Sequence, residues 1–153
     1  MLMPTKLLID QALIARPKSQ VLHFRAANLA MGNGKMKITE KHLLRLKELS
    51  PDKCGILMLL AGLYEQMKDL PKAEGILRDL LHMEPASEET RLRLAEHLAR
   101  VGKAKDALAL LSEAPQGITP KLRLGEAAVH ARAGRIGEAQ QVLLALKIGR
   151  AHV

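Results

Sequence analysis

Aromatic residues are almost missing from this chain of 153 residues, which has one Phe, one Tyr and no Trp. Strand-rich cores lean on aromatic and β-branched side chains, so this composition argues against them. Apolar residues still make up 48% of the chain, and they are mostly Leu and Ala, which favour helices. The expectation is therefore an all-α chain. Cysteine is nearly absent too. Cys54 stands alone, which excludes an intrachain disulfide and a Cys-based metal centre and fits a reducing, cytoplasmic compartment. No stretch approaches the roughly 18 consecutive apolar residues of a membrane span. The opening segment, MLMPTKLLIDQALIAR, has no long apolar run and carries Asp10, unlike a signal peptide.

Charge is present in excess but not in blocks. The formal net charge is +8, from 24 basic and 16 acidic residues. A basic excess can serve nucleic acid or an anionic surface. Here Lys and Arg are spread along the whole length, and no run of five or six like charges forms a basic tail. Glu74 and Arg78, Glu89 and Arg93, and Glu96 and Arg100 are spaced i, i+4 with Glu first, the favourable order on a solvated helix. Nucleic acid is not the expected partner.

What the chain does have is a period. Pro17, Pro51 and Pro85 stand 34 residues apart, an interval typical of stacked repeats. The same step aligns Ala27, Ala61 and Ala95, with Ala127 following after 32. Thr39, Ala73, Ala107 and Ala139 form a second column, and Leu43, Leu77, Leu111 and Leu143 a third. Leu46, Leu80, Ala114 and Leu146 form a fourth. Gly34, Gly102 and Gly134 share a fifth, in which the second unit carries Lys68. Small residues mark close helix approach, Leu fills the space between helices, and Gly ends a helix in the left-handed conformation. The spacing predicts helices near 4–15, 18–32, 36–49, 52–67, 70–83, 87–101, 104–114, 120–133 and 136–147. Ser87, Asp69 and Thr119 stand as N-caps, the last followed by Pro120 in the first turn.

These columns closely resemble the tetratricopeptide repeat, a 34-residue helix–turn–helix unit. The unit 54–87 fits best, with Leu57, Leu60-Ala61, Tyr64, Ala73, Leu77, Leu80 and Pro85. The unit 88–119 reads Leu94-Ala95, Leu98, Gly102, Ala107, Leu111 and Ala114, and the unit 20–53 reads Ala26-Ala27, Ala30, Gly34, Thr39, Leu43, Leu46 and Pro51. The last unit, from 120 to 147, has Glu126 and His130 where a Leu and an aromatic belong, which points to a shift of its first helix. The pentatricopeptide repeat, an RNA-reading relative with a unit of about 35 residues, fits the steps of 34, 34 and 32 less well. The resemblance implies a single array over 1–147, a right-handed superhelix (solenoid) of antiparallel helix pairs.

Both ends look cut. Residues 4–16 match the second helix of a unit whose first helix is absent, either a cap or the remainder of a frame opened at an internal Met. Residues 148–153 read Ile-Gly-Arg-Ala-His-Val, the in-frame translation of a common short-read sequencing adapter followed by its stop codon. They are expected to be a non-native tail on a bacterial fragment.

Catalytic chemistry is not legible. Six histidines occur, with no i, i+3 or i, i+4 pair, so metal binding is not expected and most should be half-exposed helix residues. Gly32-Asn33-Gly34-Lys35 lacks the preceding strand and the following Ser or Thr of a phosphate loop. No cofactor is expected. The resemblance implies instead a groove lined by the first helix of each pair. Its rows would be Phe24, Met58, Leu92 and Leu124; Asn28, Gly62, Glu96 and Ala128; and Met31, Glu65, Ala99 and Ala131. An apolar row beside small residues suits an amphipathic helix or extended peptide; the alternative for that row is packing against the adjacent helix. A carboxylate clamp is not matched, because Phe24 stands where a Lys belongs.

The expected function is a non-catalytic protein-interaction scaffold. The alternatives are the repeat region of a larger enzyme of sulfotransferase or glycosyltransferase type, or a factor in envelope or polysaccharide-export assembly. The column assignment is testable. Leu77→Ala should cost about 2–5 kcal/mol in thermal or urea unfolding, while Arg93→Glu should change stability by less than about 0.5 kcal/mol. A Leu77→Ala chain that melts like the parent would remove Leu77 from the core.

Overall fold

The computed structural model describes residues 4–151, and it is helical wherever regular structure is described. The helices are α1 (Thr5–Ala15), α2 (Gln20–Gly32), α3 (Met36–Leu49), α4 (Lys53–Gln66), α5 (Leu70–Met83), α6 (Glu88–Arg100), α7 (Ala104–Ser112), α8 (Pro120–Arg132) and α9 (Ile136–Ala151). Most boundaries fall within two residues of those the spacing predicts. The exception is α9, which runs through Gly149 to Ala151 rather than stopping at 147. The chain forms two compact units that divide within α5, one ending at Ile76 and one starting at Leu77.

Each first helix of a pair begins with the same device. The side chains of Ser19, Asp52, Ser87 and Thr119 accept hydrogen bonds from the backbone N–H three residues on, at 3.3, 3.4, 3.2 and 3.3 Å. Each relieves one of the unpaired donors of a first turn. Each first helix also ends alike. Lys35, Asp69, Lys103 and Arg135 donate their N–H groups back five residues, to Ala30, Tyr64, Leu98 and His130. The residue before each donor bonds back three, which completes a Schellman closure. Gly34, Gly102 and Gly134 supply the left-handed residue this closure needs, at φ 70°, 84° and 78°. In the second pair Lys68 occupies that position at φ 59°, the one non-glycine residue with positive φ among those described.

In the first unit α2 packs on α1 and on α3, and α3 packs on α4. Ala27 and Thr39 are 2% and 0% exposed where α2 and α3 approach. The Thr39 hydroxyl donates to the Lys35 carbonyl at 3.0 Å and lies 3.5 Å from that of Ala27. Leu43, Leu46, Leu57, Leu60, Leu63 and Tyr64 complete this core. Lys72 lies 5.4 Å above the Tyr64 ring and 3.6 Å from the Asp69 carboxylate. Burial first, and then the charge of Glu40, push the Tyr64 hydroxyl above its ordinary pKa.

In the second unit α6 packs on α7 and α8, α7 on α8, and α8 on α9. Its core is built from Leu94, Ala95, Leu98, Ala107, Leu111, Leu122, Ala127 and Val129, with Ala139 behind them. Ala127 keeps its column at 4% exposure, so α8 is not shifted despite the expectation from Glu126 and His130. The shorter step of 32 is accommodated by α7, which has 9 residues where α3 has 14. Glu126 meets Arg123 at 2.8 Å near the surface, and His130 is half-buried. Leu143 departs from its column, being 46% exposed, because no described helix follows α9 to cover it.

Left-handed backbone costs an L-residue about 1–2 kcal/mol, part of which glycine returns as chain entropy in the unfolded state. Lys68→Gly should therefore stabilise the chain by about 0.5–1 kcal/mol in urea unfolding, whereas Gly102→Lys should destabilise it.

Candidate functional site

The second unit contains an open trough between its two first helices. Leu92, Ala95, Glu96 and Ala99 of α6 form one wall, and Gly125, Ala128, Val129, Ala131 and Arg132 of α8 form the other. Its volume is about 540 Å³. Leu92 of α6 lies directly over Gly125 of α8, in the space a side chain there would take. A Cβ there would collide with Leu92 Cδ2, so the Leu92 side chain would have to turn aside, while the Leu111 methyls would stay at ordinary contact distance. The floor is apolar and made of small side chains, while Glu96 and Arg132 stand exposed on opposite walls.

Five residues expected in the groove meet here: Leu92, Glu96, Ala99, Ala128 and Ala131. Leu124 does not join them. Leu92 faces α8, so the corresponding residue of α8 faces away from α6, where no described first helix follows; Leu124 is accordingly 47% exposed. The remaining expected residues belong to the first unit. Phe24, at 44% exposure, and Asn28 are exposed on α2, whereas Met31, Met58, Gly62 and Glu65 are half-buried on α2 and α4. Gly125 and Arg132 escaped the sequence reading. Rows set by the repeat step select the same face of every first helix, and these two lie on the face turned back toward the preceding helix.

The histidines differ from expectation. His23, His42 and His97 are buried, not half-exposed, while His82 is exposed and His152 lies outside the described residues. His23 and His42 are 19 residues apart, so helical spacing gave no sign of their contact. Their Nδ1 atoms lie 3.0 Å apart where α2 meets α3. His23 Nε2 reaches the carbonyl of Pro17 at 2.8 Å.

Arg91 sits 68 residues after His23, two repeat steps, and makes the equivalent contacts. It donates to the carbonyl of Pro85 at 2.9 Å and to that of Leu110, on the facing helix, at 2.8 Å, with 5% of its surface exposed. This polar position therefore ties a first helix both to its second helix and to the proline turn before it. The intervening repeat has Leu57 there. Among the described residues no three His, Cys, Asp or Glu side chains gather in a group that could hold a metal ion. No helix among them is long and apolar enough to cross a membrane.

These features define a class, the all-α helical-repeat proteins. Residues 66–117 match the tetratricopeptide repeat family. Its fold is similar to that of a MamA crystal structure, with a TM-score of 0.70 at 12% identity, over 92% of this chain and 78% of that one. MamA from MSR-1 gives 0.65 at 18% identity over 93% and 83%. YrrB, described as a TPR protein with an unusual peptide-binding site, gives 0.67 at 14% identity over 92% and 74%. No curated protein sequence matches the chain.

Arg91 offers a direct test of the polar tie. Replacing it with Leu, the residue of the preceding repeat, leaves the carbonyls of Pro85 and Leu110 without their donor. Arg91→Leu should cost about 2–3 kcal/mol in urea unfolding, and Arg91→Lys, which cannot reach both carbonyls at once, should recover part of it.

Proposed function

We propose that the chain is a non-catalytic scaffold whose trough between α6 and α8 receives an apolar segment of a protein partner, either an amphipathic helix or an extended peptide. The trough itself carries this reading: a floor of small and apolar residues, Gly125 among them, between two first helices. Such a floor lets a partner's backbone or helix come close, and the exposed Glu96 and Arg132 can orient it. The fold likeness to YrrB, itself a peptide-binding protein by description, supports the same reading. Phe24, Asn28, Met31, Met58, Gly62 and Glu65 are proposed as partner-contacting residues of the first unit, taken by itself, and Leu124 as the edge of the trough on α8. A cytoplasmic location and an array of four units after a leading helix (units 20–53, 54–87, 88–119 and 120–147) complete the proposal.

Ala128→Arg provides the test. Ala128 is exposed, so the substitution should change stability by less than about 0.5 kcal/mol while filling the trough. Peptides selected from a display library on the parent chain should bind the variant at least about tenfold more weakly, a loss of about 1.4 kcal/mol. Binding unchanged by Ala128→Arg and by Leu92→Asp would place the partner elsewhere.

A further inference from the structure

The contact between α2 and α3 holds two buried histidines that the proposed binding surface does not use. The His23 and His42 rings lie 5.3 Å apart between centroids, tilted by 46°, with the Nδ1 atoms 3.0 Å from each other. The Pro17 carbonyl, 2.8 Å from His23 Nε2, can only accept a hydrogen bond. His23 Nε2 therefore carries its proton. Nδ1 of neutral His23 is then an acceptor, so His42 Nδ1 must be the donor. One geometry thus fixes two tautomers.

This arrangement sets how many protons the contact tolerates. A first extra proton enters at His42 Nε2 and leaves both hydrogen bonds in place. A second must enter at His23 Nδ1. That would set two N–H groups head to head across 3.0 Å and enclose two positive charges in one buried contact.

We propose that the His23–His42 pair is a proton-sensitive latch, closed while it holds at most one extra proton and opened between α2 and α3 by the second. The surroundings favour opening. The charged groups lining the cavities beside the pair are Lys6 and Asp10 from α1, Lys35 from the turn after α2, and Lys41, Arg45 and Glu48 from α3. α2 contributes no charge to these walls beyond His23, and α4 contributes none. Four cations thus face two carboxylates, and Glu48 is already engaged with Arg45 at 2.7 Å.

The sign follows from linkage. Burial, then the facing His23, then Lys41 hold the His42 pKa below the ordinary 6.5, against a smaller upward pull from Asp10. The folded chain therefore binds fewer protons than the unfolded one below that value. The first proton therefore weakens the fold as pH falls below 6.5 without opening the contact, and the second, which the separated rings of the open state accept without the head-to-head clash, opens it at lower pH still, so both steps lower stability as pH falls. Arg91 shows how the same repeat position avoids this dependence, since a guanidinium donates to both carbonyls and does not titrate.

The test uses the full chain, with two readouts. Long-range ¹H–¹⁵N spectra of labelled histidines at about pH 7.5 should show His23 protonated at Nε2 and His42 at Nδ1. Amide protection, corrected for intrinsic exchange, should fall in α2 and α3 by about tenfold or more between about pH 7.5 and pH 5. Protection in α6 and α8 should change by less than about twofold over that range. His23→Arg, copying Arg91, should abolish the selective loss. The opposite tautomers, a loss spread equally over all helices, or a His23→Arg chain with the parent's pH dependence would overturn the latch. The tautomer readout does not depend on whether the variant folds.

Discussion

Close helix approach at small residues is the constraint on which the rest of the structure depends. Ala27 and Thr39, Ala61 and Ala73, Ala95 and Ala107, and Ala127 and Ala139 are all buried to 5% exposure or less. A larger side chain at these places would force the helices apart and overpack the surrounding Leu positions. With backbones this close, Leu fills the remaining space, and a single buried aromatic, Tyr64, is accommodated at 5% exposure.

Helix ends matter as much as helix faces in such an arrangement. A pair of helices is a useful unit only if both stop at the right residue, and the repeated N-cap and Schellman closures enforce this with backbone hydrogen bonds. The strain at Lys68 shows how strongly the closure is required. The chain accepts a left-handed Lys rather than lose the turn. At the start of α2 and of α6, His23 and Arg91 tie the proline turn to the facing helix through one side chain. Arg91 does so with a permanent charge and His23 with a titratable partner, so two repeats of one design differ in what pH can do to them.

The trough between α6 and α8 shows how a binding surface arises without being written as a motif. Its residues are Ala, Gly, Leu and Val, the types that also build the core. What separates them is position: Ala95 and Val129 are buried as part of the floor, while Ala128 and Glu96 are exposed at the rim. Composition carries no trace of that distinction, and only the spacing of α6 and α8 opens the space.

The repeat signature, the number of helices among the described residues and most helix boundaries were legible in the sequence because each rests on local chemistry repeated at a fixed interval. A cap, a glycine or a small residue acts within one or two turns, and recurrence every 34 residues makes weak local signals agree. The core columns were legible for the same reason, apart from Leu143, whose burial needs a covering helix, and Ala114 and Leu146, which are only half-buried. Tertiary structure alone decided the His23–His42 contact, the two-carbonyl tie of Arg91, the back-facing wall of the trough at Gly125 and Arg132, and the outward turn of Leu124. Each joins residues on different helices, so its existence depends on how far apart and in what register two helices lie, quantities that no spacing along one helix contains.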